Sequence, residues 1–271
     1  MSILHTDAVD LVYDDSGSGG PPLLLIHGFS CARTDFGPLT GHFTPTHRVV
    51  AFDQRGHGGS SVARDGRYGF LVDVEDARRL CDELGLDRPV VVGHSLGGVT
   101  ALHLAAQPGF ASALVLLDAT IDIPAEVQGE LAAFVEGLEV ASHEDFCEQV
   151  RQYARYRMID PSDDAAVAAE LVERSARVPQ DVYVPGVRSI VGVDVLATAR
   201  AVTVPSLFIA SSLPWIDPAE VHRQLPGWFV GRTVGAGHFH HLLVPEQVNA
   251  MVERFLASVA DGFPRAATSD W

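Results

Sequence analysis

Six short, nearly unbroken apolar runs set the limits on what this chain can fold into. They fall at 23–27, 48–53, 89–93, 113–118, 205–210 and 229–234 and are rich in Val, Leu and Ile. Runs this short and this continuous suit strands covered on both faces, as in a parallel sheet. Helical patterns separate them. Leu71, Val74, Ala77, Cys81 and Leu84 share one face, with Gly85 as the C-terminal stop. Pro245 and Glu246 open a last helix that places Val248, Val252, Phe255 and Leu256 on its buried side. This β-α-β-α rhythm predicts an α/β fold with right-handed crossovers.

The rhythm is interrupted once. From 121 to 202 no buried strand is evident, and amphipathic helix stripes take over: Val127, Leu131, Phe134 and Leu138, then Phe146, Val150 and Tyr153, then Val167, Leu171, Ser175 and Val178. The expected organisation is therefore a core of 1–120 plus 203–262, with a helical cap at 121–202 over the carboxyl edge of the sheet. A flexible tail is expected at 263–271.

Charge narrows the choice of partner. Against 19 Lys and Arg stand 35 Asp and Glu, a formal charge of −16. That sign repels phosphate backbones and anionic lipid surfaces, so nucleic acid and membrane are not the expected partners. Hydrophobic residues make up 47% of the 271 residues, enough for a real core. No apolar run approaches the roughly 20 residues a bilayer span needs, and the first ten residues carry no secretion-signal pattern. Cys31, Cys81 and Cys147 are scattered and lack CxxC spacing, which argues against a disulfide framework and a zinc site. The expectation is a cytoplasmic protein acting on a small molecule without metal or cofactor. Nothing in the sequence sets an oligomeric state.

The run 90–92 leads straight into Gly93-His94-Ser95-Leu96-Gly97 and a helical stretch. This is G-x-S-x-G in the strand–turn–helix setting that lifts a nucleophilic serine into a strained turn, with glycines where a Cβ would collide. Acyl transfer also needs two backbone N–H groups aimed at the developing oxyanion. Leu96 supplies one at a helix start, and Phe29, in His27-Gly28-Phe29 after an earlier strand, is the expected second. His27 reads as a structural hydrogen-bonding residue. Among the 12 histidines, His238 in Gly235-Ala236-Gly237-His238-Phe239 follows the last strand run and fits the chain order Ser…acid…His. His240 and His241 read as loop surface, His94 and His103 as packing residues.

These stretches together resemble the α/β-hydrolase superfamily over nearly the whole chain: LLLIHGFS (23–30), VVAFDQRGHGGSS (49–61), VVVGHSLGG (90–98), ALVLLDAT (113–120), VPSLFIASS (204–212) and VGAGHFHHLLVPEQV (234–248). The resemblance is to capped esterases, lactonases, carbon–carbon hydrolases and cofactor-free haloperoxidase-like members. It implies a mostly parallel, eight-stranded-type sheet flanked by helices, Ser95 as nucleophile, His238 as base, and Phe29 and Leu96 as the oxyanion hole. Asp53 and Arg55 read as structural. The chain departs from the pattern at the acid. The turn after 205–210 commonly bears an Asp, but here it reads Ser211-Ser212-Leu213-Pro214-Trp215-Ile216-Asp217. Asp118, after the sixth strand as in a minority of members, is favoured, with Asp217 as the alternative. Asp217-Pro218 also reads as a helix N-cap.

The implied activity is hydrolysis of an ester, a lactone or a carbon–carbon bond in a small hydrophobic substrate through an acyl-enzyme. Tyr153, Tyr156, Met158 and Trp215 are the expected substrate contacts, while Arg151, Arg155 and Arg157 fit a solvated helix face. Three alternatives stand beside it. One is a cofactor-independent dioxygenase of this fold using a His/Asp pair. Another is a dehalogenase, which Ser95 in place of a carboxylate disfavours. The third is a receptor-like ligand-binding module.

Overall fold

The computed structural model describes residues 1–261; the expected tail at 263–271 lies outside the described residues. The strands are β1 (Ser2–His5), β2 (Asp10–Ser16), β3 (Leu23–Ile26), β4 (Val49–Phe52), β5 (Val90–His94), β6 (Ala113–Leu117), β7 (Ser206–Ala210) and β8 (Phe229–Arg232). They form one sheet in the order β1-β2-β4-β3-β5-β6-β7-β8. From β4 to β8 all pairs are parallel, while β1 pairs with β2 and β2 with β4 in antiparallel fashion. The six apolar runs are all strands of this sheet. β1 and β2 escaped the sequence reading because an antiparallel edge is wet on one side: β1 is mostly exposed, and polar residues fill the end of β2.

The helices are α1 (Gly37–Phe43), α2 (Phe70–Leu84), α3 (Ser95–Ala105), α4 (Ala125–Val140), α5 (His143–Met158), α6 (Ala165–Ala176), α7 (Gln180–Arg188), α8 (Val195–Ala201), α9 (Pro218–Gln224), α10 (His240–Leu243) and α11 (Pro245–Ala260). Side chains of β3–β7 alternate between two cores. Leu24, Ile26, Val91, Leu114, Leu116 and Phe208 pack with α2 and α3. Leu25, Val92, Val115, Leu117 and Ile209 pack with Val248, Val252 and Phe255 of α11. This double burial is why the runs are continuously apolar rather than alternating. In α2 the buried face begins at Phe70, and Leu71, expected inside, is 60% exposed. Between β6 and β7 the chain forms only helices, α4 to α8.

An ion pair between a half-buried arginine and a buried carboxylate ties these inserted helices to the sheet. Both guanidinium Nη atoms of Arg174, on α6, donate to the Asp35 carboxylate at 2.6 and 2.7 Å. Asp35 sits in a 3-10 turn, Arg33–Phe36, just after β3. Elsewhere Arg55 makes a bidentate pair with Asp76, and Asp53 accepts from Arg33 N and Gly59 N, so both serve the loop after β4.

Candidate active site

Parallel pairing sets the carboxyl ends of β3, β5, β6 and β7 side by side, where loops of an open α/β sheet converge on a ligand. The β5 end turns sharply into α3 at Ser95, whose φ of 53° is left-handed. Such backbone strain at a non-glycine residue persists only where the surroundings hold it. Gly97 lies so close to β3 that a Cβ would strike the carbonyls of Ile26 and His27. A Cβ on Gly28 would lie 2.6 Å from His94 Nδ1 and 2.9 Å from Ser95 Cβ, so the loop after β3 can approach Ser95 only as glycine.

His27 braces that loop. Its Nε2 accepts from Gln54 N at 2.9 Å, which leaves Nδ1–H to donate to the Gly28 carbonyl at 2.7 Å. Among the described residues the N–H groups of Phe29 and Leu96 have no acceptor. Leu96 is in the first turn of α3, where helix geometry leaves N–H groups free.

His238 Nδ1 lies 2.7 Å from Asp118 Oδ2, with both side chains buried. Asp118 follows β6 directly with a left-handed φ of 45°, and its Oδ1 accepts from Ser211 N at 3.1 Å. Asp217 is elsewhere: it caps α9, accepting from Ala219 N at 2.8 Å, and the alternative acid is withdrawn on that geometry.

The His238 backbone is clamped from two sides. His238 N donates to Met158 O at 2.9 Å and Gly237 N to Asp163 Oδ1 at 2.8 Å, binding this loop to the end of α5. From below, His94 Nε2–H donates to the His238 carbonyl at 2.9 Å, and the two imidazoles lie 4.6 Å apart between centroids. Burial pushes His94 well below the usual imidazole range, keeping it neutral. His94 therefore links the Ser95 turn to the His238 loop, a role its neighbourhood in sequence did not reveal.

Trp215 adds a competitor for the same nitrogen. Its indole Nε1 is 3.0 Å from His238 Nδ1. Nδ1 offers one in-plane position: a carboxylate needs a proton there and an indole N–H needs a lone pair. The bond to a carboxylate is charge-assisted and roughly twice as strong as a neutral one, so Nδ1–H goes to Asp118 and the indole packs against that edge of the ring. That tautomer leaves a lone pair on Nε2, which is buried without a partner. Ser95 Oγ makes no hydrogen bond among the described residues and opens onto a cavity of about 280 Å³.

Phe29, Leu96, Tyr153, Met158 and Trp215 line that cavity with Ser95. Tyr156 does not: it is 84% exposed, because two residues on from buried Ala154 it is turned roughly 200° around α5. His240 and His241, read as loop surface, are buried in α10, where Thr233 Oγ1 meets His240 Nδ1 at 3.0 Å. Arg157 lines the cavity but spends its charge on Glu130 at 2.8 Å, and Arg151 pairs with Glu173. Among the described residues no group of three or more His, Cys, Asp or Glu is placed to hold a metal ion, and no helix is long and apolar enough to cross a membrane.

The family model for the alpha/beta hydrolase fold matches residues 21–245. The chain belongs to that family. The enol-lactonase from Burkholderia xenovorans LB400 superposes with a TM-score of 0.80 at 19% identity, covering 94% of this chain and 100% of that one. The sn-1-specific diacylglycerol lipase ABHD11 of Mus musculus is 26% identical over 254 residues, 88% of this chain and 81% of its own. The 2-heptyl-3-hydroxy-4-quinolone dioxygenase AqdC1 of Rhodococcus erythropolis is 27% identical over 246 residues, 86% of this chain and 85% of its own. Two further curated relatives match at 36% and 38% identity, but the chain spans only about a third of their length, 33% and 34%.

Proposed function

We propose that this α/β hydrolase is a serine hydrolase that cleaves an ester or lactone of a small hydrophobic substrate. The observation that carries the reading is the 2.7 Å contact of His238 with buried Asp118, one side of an imidazole whose other nitrogen is buried and unpartnered. Ser95, strained at the head of α3 and open to an apolar cavity, directly follows His94, whose ring lies 4.6 Å from that of His238.

In this mechanism His238 Nε2 takes the Ser95 proton as Oγ attacks the carbonyl carbon. Asp118 fixes the tautomer and stabilises the imidazolium that forms. The oxyanion rests on the Phe29 and Leu96 N–H groups, which no acceptor among the described residues holds. The imidazolium returns its proton to the leaving alkoxide, and the Ser95 ester remains. Water, deprotonated by His238, then attacks the acyl carbon and frees the acid. The first turn of α3 places a positive dipole end at the oxyanion.

A second reading is favoured by one feature, the acid after β6 rather than after β7, together with the similarity to a dioxygenase over most of the chain. In it the His238–Asp118 pair deprotonates a hydroxylated heteroaromatic substrate that then reacts with oxygen. Initial rates on short p-nitrophenyl esters, run beside an oxygen electrode, separate the two. Hydrolysis predicts turnover that falls about 10³-fold or more in Ser95→Ala. Oxygen uptake with a hydroxyquinolone, together with ester inactivity, would replace it with the second reading.

A further inference from the structure

The cavity over Ser95 is walled by rings in two different arrangements. Phe29 and Tyr183 meet edge to face, at 5.0 Å and 83°. Phe134, Tyr153 and Trp215 are instead close to parallel: 4.6 Å and 16° for the first pair, 6.4 Å and 25° for the second. All three line the cavity. They come from separate elements, Phe134 from α4, Tyr153 from α5 and Trp215 from the loop after β7. One direction is thereby defined in which flat faces are stacked, and Trp215 stands at the His238 end of it.

Trp215 is held in that plane. Its ring stands edge-on to His238 at 5.7 Å and 83°, while Tyr153 covers it on another side. A ring so fixed loses little freedom when a ligand stacks on it, so the stacking energy appears as binding rather than being consumed in ordering the wall. Tyr153 stays an uncharged phenol, since burial pushes it up to about 12.

Size and charge complete the description. A dry engineered cavity of about 150 Å³ holds benzene, and this one, at about 280 Å³, has room for one such ring with an ester group and a few more atoms. Three charged side chains line it, Asp122, Glu130 and Arg157. Arg157 and Glu130 neutralise each other at 2.8 Å, and among the described residues no cation pairs with the Asp122 carboxylate. An anionic substrate would face that charge with no free cation in the described lining to offset it.

We infer that the substrate is an uncharged ester or lactone bearing a single flat aromatic ring, seated face-on against Trp215, and that Trp215 and Tyr153 determine this specificity. The inference rests on the serine-hydrolase reading for the reaction, but the ring seat is a binding property and is testable without turnover.

The test compares methyl benzoate with methyl cyclohexanecarboxylate, equal in heavy atoms but flat against puckered, and with monomethyl terephthalate, which adds a carboxylate. Binding is read by tryptophan fluorescence on Ser95→Ala, and kcat/KM on the unaltered protein. Stacking predicts methyl benzoate favoured over its cyclohexyl counterpart by about two- to tenfold in both readouts. The preference should shrink to near unity in Tyr153→Leu by both readouts and in Trp215→Leu by kcat/KM and by calorimetric binding to its Ser95→Ala form. Monomethyl terephthalate should bind at least several-fold more weakly than methyl benzoate. Equal binding of flat and puckered rings, a preference unaltered in both variants, or tighter binding of the anion would overturn the inference. If no ester is turned over while the binding preference holds, the serine-hydrolase reading fails and the ring seat stands.

Discussion

Asp118→Asn isolates the electrostatic role of the carboxylate from its structural one. Asn tolerates the left-handed φ of 45° at this position, and its Oδ1 keeps the bond from Ser211 N, now 3.1 Å. The fold should therefore survive with little change in melting temperature. At the other end, the Asn Nδ2 replaces Oδ2 at 2.7 Å from His238 Nδ1. An amide N–H there demands a lone pair on Nδ1, so the proton moves to Nε2, the nitrogen that must accept from Ser95. The base is then in the wrong tautomer, and the imidazolium loses its counter-charge. The expected fall in kcat is about 10⁴-fold, or about 5 kcal/mol of transition-state stabilisation, with KM little altered. Stopped-flow kinetics on p-nitrophenyl butyrate should show the loss in the acylation burst. Asp217→Asn is the control: Asn caps a helix as well as Asp, so rate and stability should be unaffected. A folded Asp118→Asn protein that retains kcat within tenfold would refute the reasoning.

Gly28→Ala puts a Cβ 2.6 Å from His94 Nδ1 and 2.9 Å from Ser95 Cβ, so the Phe29 N–H must move off the oxyanion; kcat should drop about 10²-fold or more, and an unchanged rate would remove Phe29 from that role. Arg174→Ala strands the buried Asp35 carboxylate, now held at 2.6 and 2.7 Å, which should cost about 3–5 kcal/mol in urea unfolding; a loss below about 1 kcal/mol would show the pair to be dispensable. Acidification should destabilise the protein steeply. Burial lowers His57 to about 3, His240 to about 4 and His241 to about 3, and holds His94 well down, so each takes up a proton only on unfolding as pH falls below about 6.5. Burial beside Asp76 raises Asp73 to about 8, which acts in the opposite sense over that window. Stability should therefore fall as pH drops from 7 to 5, and a urea midpoint flat across that range would contradict it.

The central sheet and the Ser95 turn are legible in the sequence because each rests on a local signal. Strands buried on both faces write themselves as unbroken Val and Leu, and Gly93, Ser95 and Gly97 sit at spacings that one turn requires. The antiparallel strands β1 and β2 carry no such signal: β1 is an exposed edge strand, and in DLVYDDS only the first half is buried while polar residues fill the end. The acid is a non-local matter. Asp118 and Asp217 both follow strands, and what separates them is that α9 begins at Asp217 and takes its side chain as a cap, while Asp118 meets a histidine 120 residues away. Tyr156 falls about two residue steps, roughly 200°, from the buried side of α5 at Ala154, a phase that its nearness to Tyr153 in sequence hides. His94 looked like packing because its partner is a backbone carbonyl, which sequence does not display. The Trp215 contact depends likewise on a loop whose course no periodicity fixes.

Hydrolysis by this route forms a covalent bond to Ser95, and that bond has a mass. Rapid-quench mass spectrometry during turnover of p-nitrophenyl butyrate should find the intact chain heavier by one butyryl group, with peptide mapping placing it on Ser95 and Asp118→Asn accumulating it more slowly. Steady ester turnover with no acyl adduct at Ser95, or an adduct on another residue, would contradict it.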